Sequence, residues 1–144
     1  MQDLIKETPV LNEKIKRVIT IPGINFVTAA TVIAETDGFS NISNRRQLVS
    51  YAGLDVVIRE SGTLTWRPHI SKRGNAYIRA ALYMAAVSSI IHNQTLRIYF
   101  NRLKDNGKPG KTGVIALERK LLILIYTLYK NDTEYILAYP GNDR

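Results

Sequence analysis

The sequence predicts a mainly α protein: a compact helical domain with a helix-hairpin-helix motif and one inserted β-hairpin. Three observations predict this fold. Apolar residues recur at helical spacing along most of the chain, turn-forming residues separate these stretches, and one short region is β-branched instead. The 144 residues contain no internal repeat and are enough for one domain with its own core.

Six segments have the pattern of a helix. Ser43 is the expected N-cap of the third, and Gly53 ends that helix. Small side chains in the fourth permit close packing, so we expect it at the centre of the core. The predicted bounds are Leu11–Thr20, Phe26–Glu35, Ser43–Tyr51, Asn75–Ile91, Thr95–Lys104 and Lys111–Lys130.

The one β-hairpin candidate lies at residues 55–67. Val56, Val57 and Ile58 favour a first strand, Gly62 marks a turn, and residues 64–66 can return as the second strand. The hairpin would interrupt the helices between the third and the fourth.

Composition excludes several classes of protein. There is no cysteine, so a disulfide framework and a thiolate metal site are both absent. His69 and His92 have no carboxylates at ligand spacing, so we expect no metal site and no cofactor in this chain. The apolar run Leu121–Tyr129 is shorter than the roughly 20 residues that span a bilayer. The polar N-terminus indicates a cytoplasmic protein with no membrane partner.

The net charge of +8 is concentrated in the middle of the chain. Residues 41–111 hold twelve basic side chains and three acidic ones, a net +9, whereas the remainder carries −1. Such a distribution is typical of a surface that binds a polyanion such as DNA. A solvated basic surface gives the same pattern, and charge alone does not separate the two.

A helix-hairpin-helix motif is predicted at residues 18–29, around Pro22 and Gly23. In that motif, backbone N–H groups of a tight turn and the following helix N-terminus bind a DNA phosphate without reading sequence. Asn25 stands where the second glycine is usual, and asparagine tolerates left-handed geometry. Gly23 and Asn25 are therefore candidate phosphate-binding residues. The alternative is an ordinary turn between two helices.

Two further segments have the character of a phosphate cradle, because each places cations and glycine before a helix N-terminus. In both, a loop with solvated charges is the alternative. The spacing around residues 105–112 does not fit a nucleotide-triphosphate loop, since Asp105 occupies a required glycine position. The candidate ligands are Lys72, Arg73, Asn75 and Arg79 in the first segment, and Lys108 and Lys111 in the second.

Ser61 is the candidate nucleophile. A serine before a glycine in a hairpin is in most cases a turn residue, and a nucleophilic serine normally has a base within hydrogen-bond reach. Arg59 and Arg67 can face Ser61 across the predicted hairpin and stabilise charge on a phosphoryl oxygen. The spacing leaves both interpretations open.

Together the motifs resemble the C-terminal transposase domain of the insertion sequence 110 type, the bridge-RNA-guided serine recombinases. The similarity covers residues from about 15 to 130. The matching motifs, in the order of the family, are Ile21-Pro22-Gly23-Ile24, Arg46-Gln47-Leu48-Val49-Ser50-Tyr51-Ala52-Gly53-Leu54, Ser61-Gly62, Ile70-Ser71-Lys72-Arg73-Gly74-Asn75, Ala81-Leu82-Tyr83-Met84-Ala85-Ala86 and Gly107-Lys108-Pro109-Gly110-Lys111.

The resemblance implies an enzyme that cleaves and exchanges DNA strands, with Ser61 forming a transient phosphoserine link to DNA. It implies DNA and a guide (bridge) RNA as partners, and a homo-oligomer of the full-length protein. It also implies a preceding nuclease-like domain that binds Mg²⁺. On this basis residues 1–20 are a lead-in helix, 21–130 the transposase domain and 131–144 a flexible tail, and the isolated fragment is expected to be inactive.

One local feature departs from the family. Members commonly have a Ser/Thr-Gly-Gly turn, whereas Gly62 is followed here by Thr63. Two rival classes therefore stay open beside the recombinase. One is a non-catalytic helix-hairpin-helix module that binds nucleic acid through its backbone contacts, and the other is a protein-interaction scaffold.

Overall fold

The computed structural model describes residues 9–57, 60–61, 64–65, 69–70 and 74–136. This part of the chain is mainly helical and compact, as the sequence predicts. Its six helices are α1 Pro9–Ile19, α2 Phe26–Glu35, α3 Arg45–Ala52, α4 Ala76–His92, α5 Gln94–Asp105 and α6 Gly110–Asn131. None of these helices is both long and apolar enough to span a membrane.

Four two-residue strands lie between α3 and α4. They are β1 Val56–Val57, β2 Glu60–Ser61, β3 Leu64–Thr65 and β4 His69–Ile70. β1 pairs antiparallel with β4 and β2 with β3, so that Val56 lies opposite Ile70 and Ser61 opposite Leu64. Residues 55–73, which leave the helices after α3 and return to α4, are called the Ser61 segment below.

The core lies between α4 and α6. α6 packs against α1, α3, α4 and α5, and α4 packs against α2, α5 and α6. The centre of the domain is therefore shared by the fourth predicted helix and the last. The fully buried side chains at this contact are Ile78 and Leu82 of α4 and Leu117, Leu121, Leu122 and Ile125 of α6.

Asparagine caps four successive helices. The side-chain oxygens of Asn25, Asn44, Asn75 and Asn93 accept hydrogen bonds from backbone N–H groups in the first turns of α2, α3, α4 and α5. The predicted N-cap Ser43 is wrong by one residue. Asn44 caps α3, while the backbone N–H and hydroxyl of Ser43 donate to the Gln47 side chain. α6 follows Pro109 and begins with no side-chain cap.

The loop between α1 and α2 lies directly on α4. Gly23 has a φ of +102°, and a Cβ there would stand 2.9 Å from the Ser89 Cα and closer still to its hydroxyl. The buried Asn93 side chain donates to the Pro22 carbonyl at 3.2 Å. The α1–α2 turn is thus held by the core and has little room for a side chain.

The chain after α6 is anchored as far as residue 135. Lys14 of α1 donates to the Asp132 carboxylate at 2.9 Å, and the backbone N–H of Tyr135 donates to the Thr20 hydroxyl at 2.8 Å. The first residues of the predicted tail, up to residue 135, are therefore hydrogen-bonded to α1 and to Thr20, which directly follows it. Residues 137–144 lie outside the described part of the chain.

Candidate nucleic-acid interface

The two ends of the Ser61 segment meet at a contact between two glycines. Gly53 has a φ of +75°, and a Cβ there would lie 2.7 Å from the Gly74 amide nitrogen. A Cβ on Gly74 would in turn overlap the Tyr51 carbonyl and the Gly53 nitrogen. Only glycine permits this approach of two backbones. Residues 51–54 and 74–75 are called the neck below.

Hydrogen bonds join the two sides of the neck and connect it to α2. The Asn75 backbone N–H donates to the Tyr51 carbonyl at 2.9 Å. The Tyr51 hydroxyl donates to the Glu35 carbonyl, and the Asn75 side-chain amide donates to the Glu35 carboxylate, both at 2.7 Å. Since Asn75 also caps α4, its whole amide group is engaged in protein contacts.

Arg79 clamps the neck from one side. Its Nη1 donates to the Ala52 carbonyl at 3.2 Å and to the Gly74 carbonyl at 3.1 Å, so one guanidinium nitrogen binds both ends of the Ser61 segment. Such charge-assisted hydrogen bonds are the stronger kind in proteins. The two predicted phosphate ligands Asn75 and Arg79 are thus brought together by the fold, in roles that support the neck.

The other predicted ligands lie in three places. Gly23 is pressed on Ser89, and Asn25 is exposed with an extended backbone (φ −99°), so the left-handed geometry expected at Asn25 is not observed. Lys108 and Lys111 are exposed beside the uncapped start of α6. Ser61 lies in β2, but its side chain is outside the described part of the chain. Arg59, Arg67, Lys72 and Arg73 also fall outside the described residues.

A polar cleft adjoins the neck on the α3 side. Ser43, Arg46, Ser50, Tyr51 and Asp55 are among its lining residues. Arg45 and Arg46 are exposed at the start of α3, next to this cleft. Their charge belongs to the basic middle of the chain, but no sequence motif assigns them to a site, since their position next to the neck depends on the tertiary fold.

A second cleft lies between the start of α4 and the start of α6, with a volume of about 620 Å³. It is called the α4–α6 cleft below. Arg79 and Lys111, predicted from two separate motifs, meet here. The lining residues are Ala76, Arg79, Ala80, Tyr83, Lys111, Val114, Ile115 and Glu118.

Glu118 is the residue of this cleft that the sequence analysis missed. It is only 5% exposed, and burial raises its pKa to about 7, although the nearby Arg79 charge lowers it. The available signal was an acidic residue on the otherwise apolar face of the last helix, next to Leu117 and Leu121. A buried carboxyl group with a pKa near neutrality is typical of a functional site.

These features define a helical domain that presents an inserted segment from a rigid neck, with cations on the surrounding surface. Residues 15–101, which include the neck and the Ser61 segment, match the Transposase IS116/IS110/IS902 family. The chain belongs to this family.

Relatives share this similarity over most of the chain. The chain is 31% identical to the pilin gene-inverting protein of Moraxella bovis over 134 residues. This match covers 92% of the chain and 42% of that protein. The chain is 24% identical over 122 residues to the insertion element IS110 uncharacterized 43.6 kDa protein of Streptomyces coelicolor. This match covers 85% of the chain and 30% of that protein. The chain is 32% identical over 91 residues to the transposase for insertion sequence element IS1111A of Coxiella burnetii. This match covers 63% of the chain and 25% of that protein. The chain thus spans less than half the length of these relatives.

Proposed function

We propose that this chain is the strand-exchanging part of a DNA transposase or recombinase, and that Ser61 is its nucleophile. The observation that carries the proposal is the neck. Gly53, Gly74 and Arg79 fix both ends of the segment that contains Ser61, inside the region that matches a transposase family. Attack on a phosphodiester requires the nucleophile to be held in line with the phosphorus, and a fixed point of departure from the helices favours this.

In the proposed reaction, the Ser61 oxygen attacks a scissile phosphorus and gives up its proton. A phosphoserine ester forms, the bond from phosphorus to the deoxyribose oxygen breaks, and that oxygen leaves with a proton as a free hydroxyl. A hydroxyl of a second strand then attacks the phosphoserine, which restores the serine and joins the strands without an external energy source. Arg59, Arg67, Lys72 and Arg73 are the cations available to stabilise charge on the phosphoryl oxygens.

DNA binding is assigned to three surface regions, two of them beside the neck and one, the α1–α2 turn, against the other end of α4. They are the α1–α2 turn with Gly23 and Asn25, which the proposal treats as a helix-hairpin-helix motif, the start of α3, and the start of α6. Each offers a helix N-terminus or exposed cations. Since contacts of this kind go to phosphates, they position the duplex and leave sequence selection to other partners.

The guide RNA and Mg²⁺ enter the proposal through the resemblance. In the described ranges no three acidic or histidine side chains cluster as ligands of a metal ion, so the proposal leaves Mg²⁺ to other parts of the full-length protein. No step above depends on it.

Self-association is supported by one face of α4. Tyr77, Met84, Val87 and Ile91 are exposed on it and follow the spacing of a coiled-coil seam. An exposed apolar stripe of this kind is typical of a protein contact surface. Strand exchange needs more than one nucleophile, so the proposed partner on this face is a second copy of the chain.

Covalent trapping tests the proposal. Full-length protein with its guide RNA, Mg²⁺ and labelled target DNA would be denatured and separated by electrophoresis, beside Ser61→Ala and, as a control, Ser50→Ala. Ser50 is an exposed serine of α3 near the neck. We expect a protein–DNA adduct in the wild type and the control, and none in Ser61→Ala. An adduct in Ser61→Ala, or strand exchange with no adduct in the wild type, would overturn the assignment of Ser61 and favour the non-catalytic binding module.

A further inference from the structure

The α4–α6 cleft has the composition of a small-molecule site. Its walls are apolar, with Ala76 and Ala80 on α4 facing Val114 and Ile115 on α6. A volume of about 620 Å³ falls within the ordinary range of ligand pockets. Only four lining side chains carry polar groups, namely Arg79, Tyr83, Lys111 and Glu118, and a small number of polar groups is usual where a ligand is oriented.

The Glu118 side chain is largely buried and lines this cleft. Among the described residues, none donates a hydrogen bond to its carboxylate, while Arg79, whose charge acts on it, is engaged with the neck. Buried polar groups are almost always hydrogen-bonded. No fully buried side-chain oxygen or nitrogen of the described residues lacks a partner, so the Glu118 carboxylate reaches the open cleft, where an entering group can bind it.

The mouth of the cleft is suited to a phosphate. Lys111 lies on its rim, in the first turn of α6, and the N–H groups of that turn have no side-chain cap. A helix N-terminus with a lysine beside it attracts an anion. Tyr83 is 53% exposed and lines the same cleft from α4, so an aromatic ring is available for stacking.

We infer that the α4–α6 cleft binds one unpaired nucleotide of a nucleic acid strand, with its phosphate at Lys111, its base against Tyr83 and the base edge at Glu118. The inference rests on the proposed nucleic-acid function and adds a binding site formed by α4 and α6. A carboxyl group accepts a hydrogen bond from the amino group of cytosine or adenine, which thymine and uracil lack. The site therefore prefers amino-bearing bases.

Either a displaced DNA strand or an RNA loop can supply such a nucleotide, because the base and the phosphate are common to both. The 2′-hydroxyl distinguishes them. Matched DNA and RNA oligonucleotides of the same sequence will therefore show which of the two the site takes.

The test uses the whole chain and single-stranded oligonucleotides that contain the fluorescent base 2-aminopurine, compared with a blunt DNA duplex. Val114→Phe narrows the cleft, and Glu118→Leu removes the carboxyl group while keeping a side chain of similar size. Val10→Phe, on an exposed site of α1, is the matched control. Melting curves establish that each variant is folded.

We expect the wild type to quench the fluorescence of 2-aminopurine. Val114→Phe should lower the affinity for single strands at least about five-fold, because stacking of one base contributes about that factor in affinity. Its affinity for the duplex should be unchanged. Glu118→Leu should abolish the preference for oligo-dC over oligo-dT. If the wild type binds the duplex but does not quench 2-aminopurine, the inference is overturned while the proposed function stands. The same holds if Val114→Phe loses affinity equally for the single strand and the duplex. A wild type that binds neither probe overturns the proposed function as well.

Discussion

Gly53 and Gly74 hold the two ends of the Ser61 segment in backbone contact, at a separation that leaves no room for a Cβ on either residue. This contact brings together two sequence motifs that are 21 positions apart. It explains physically why a glycine follows Ala52 and another precedes Asn75, where sequence reasoning saw a helix end and a phosphate cradle.

Replacing Gly74 by alanine should therefore destabilise the domain. The new Cβ would overlap the Tyr51 carbonyl, so the neck must open, and we expect a loss on the order of 3 kcal/mol in the free energy of unfolding. Gly110→Ala is the matched control, since nothing lies within 4 Å of a Cβ there. Urea unfolding followed by circular dichroism measures both. Equal stability of the two variants would contradict the backbone contact.

Arg79→Lys should weaken the neck, because a lysine ammonium does not reproduce the guanidinium geometry that binds two carbonyls at once. We expect a loss of about 1–2 kcal/mol in the free energy of unfolding. Arg97→Lys, on the exposed side of α5, is the control and should change it by less than about 0.5 kcal/mol. Hydrogen exchange adds a local measure, since the Asn75 amide that bonds to Tyr51 should exchange faster in Arg79→Lys alone.

Gly23→Ala should also destabilise the fold, for two reasons that act together. Its φ of +102° disfavours a side chain, and the added Cβ would meet Ser89. Ser89→Ala removes only the hydroxyl, so the double variant should recover part of the loss and no more. A Gly23→Ala variant that melts like wild type but fails to bind DNA would instead assign Gly23 a purely functional role.

The Glu118 carboxyl group gives the stability a defined pH dependence. Its pKa is raised from 4.5 to about 7 by burial, so between these values the folded state binds more protons than the unfolded state. Stability then falls as the pH rises from about 4.5 to about 7. Glu118→Gln removes this pH-dependent loss of stability. At pH 8 its free energy of unfolding should exceed that of the wild type by about 2 kcal/mol, a value reduced because solvent in the cleft screens the charge. Thermal melts at pH 5 and pH 8 measure the difference, which should fall to about a quarter of its pH 8 value at pH 5.

The exposed lysines at the start of α6 should account for part of the salt dependence of DNA binding. Each phosphate contact contributes about 0.9 to the slope of log affinity against log salt. Lys108→Ala and Lys111→Ala should each reduce the slope by about 1, with no change in melting temperature. Lys16→Ala serves as the control, because Lys16 is exposed and pairs with Glu13. Titrations of a DNA duplex at several salt concentrations give the slopes. A slope that stays constant in all three variants would remove this region from the interface.

The helices could be predicted from the sequence because their signals are local. Apolar spacing along residues 111–130 and the break at His92 and Asn93 placed α6 and the α4–α5 junction within a residue or two. Ser43 was chosen as a cap over Asn44 because both are good N-caps, and only the bond from the Gln47 amide separates them.

The site was predictable only in part, because its contacts join residues far apart in sequence. The roles of Glu35 and Tyr51 depend on α2 lying beside the neck, and no spacing rule reports that. Glu118 became notable only when α4 was seen to pack across from it. The sequence predicts phosphate binding for Asn75 from its place at a helix start and for Arg79 from its charge one turn further on, and neither feature reveals the hydrogen bonds that both make at the neck.

The neck makes the packing of the six helices independent of the length and sequence of the segment between residues 55 and 73. Because the chain departs and returns at one point, the distance that a connecting segment must close is nearly zero whatever its length, and the entropy of closing a loop grows only slowly with added residues. Insertions, deletions or an entire replacement between residues 55 and 73 can therefore be accommodated with little effect on the six helices. The inserted segment is thus free to diverge while its support stays constant.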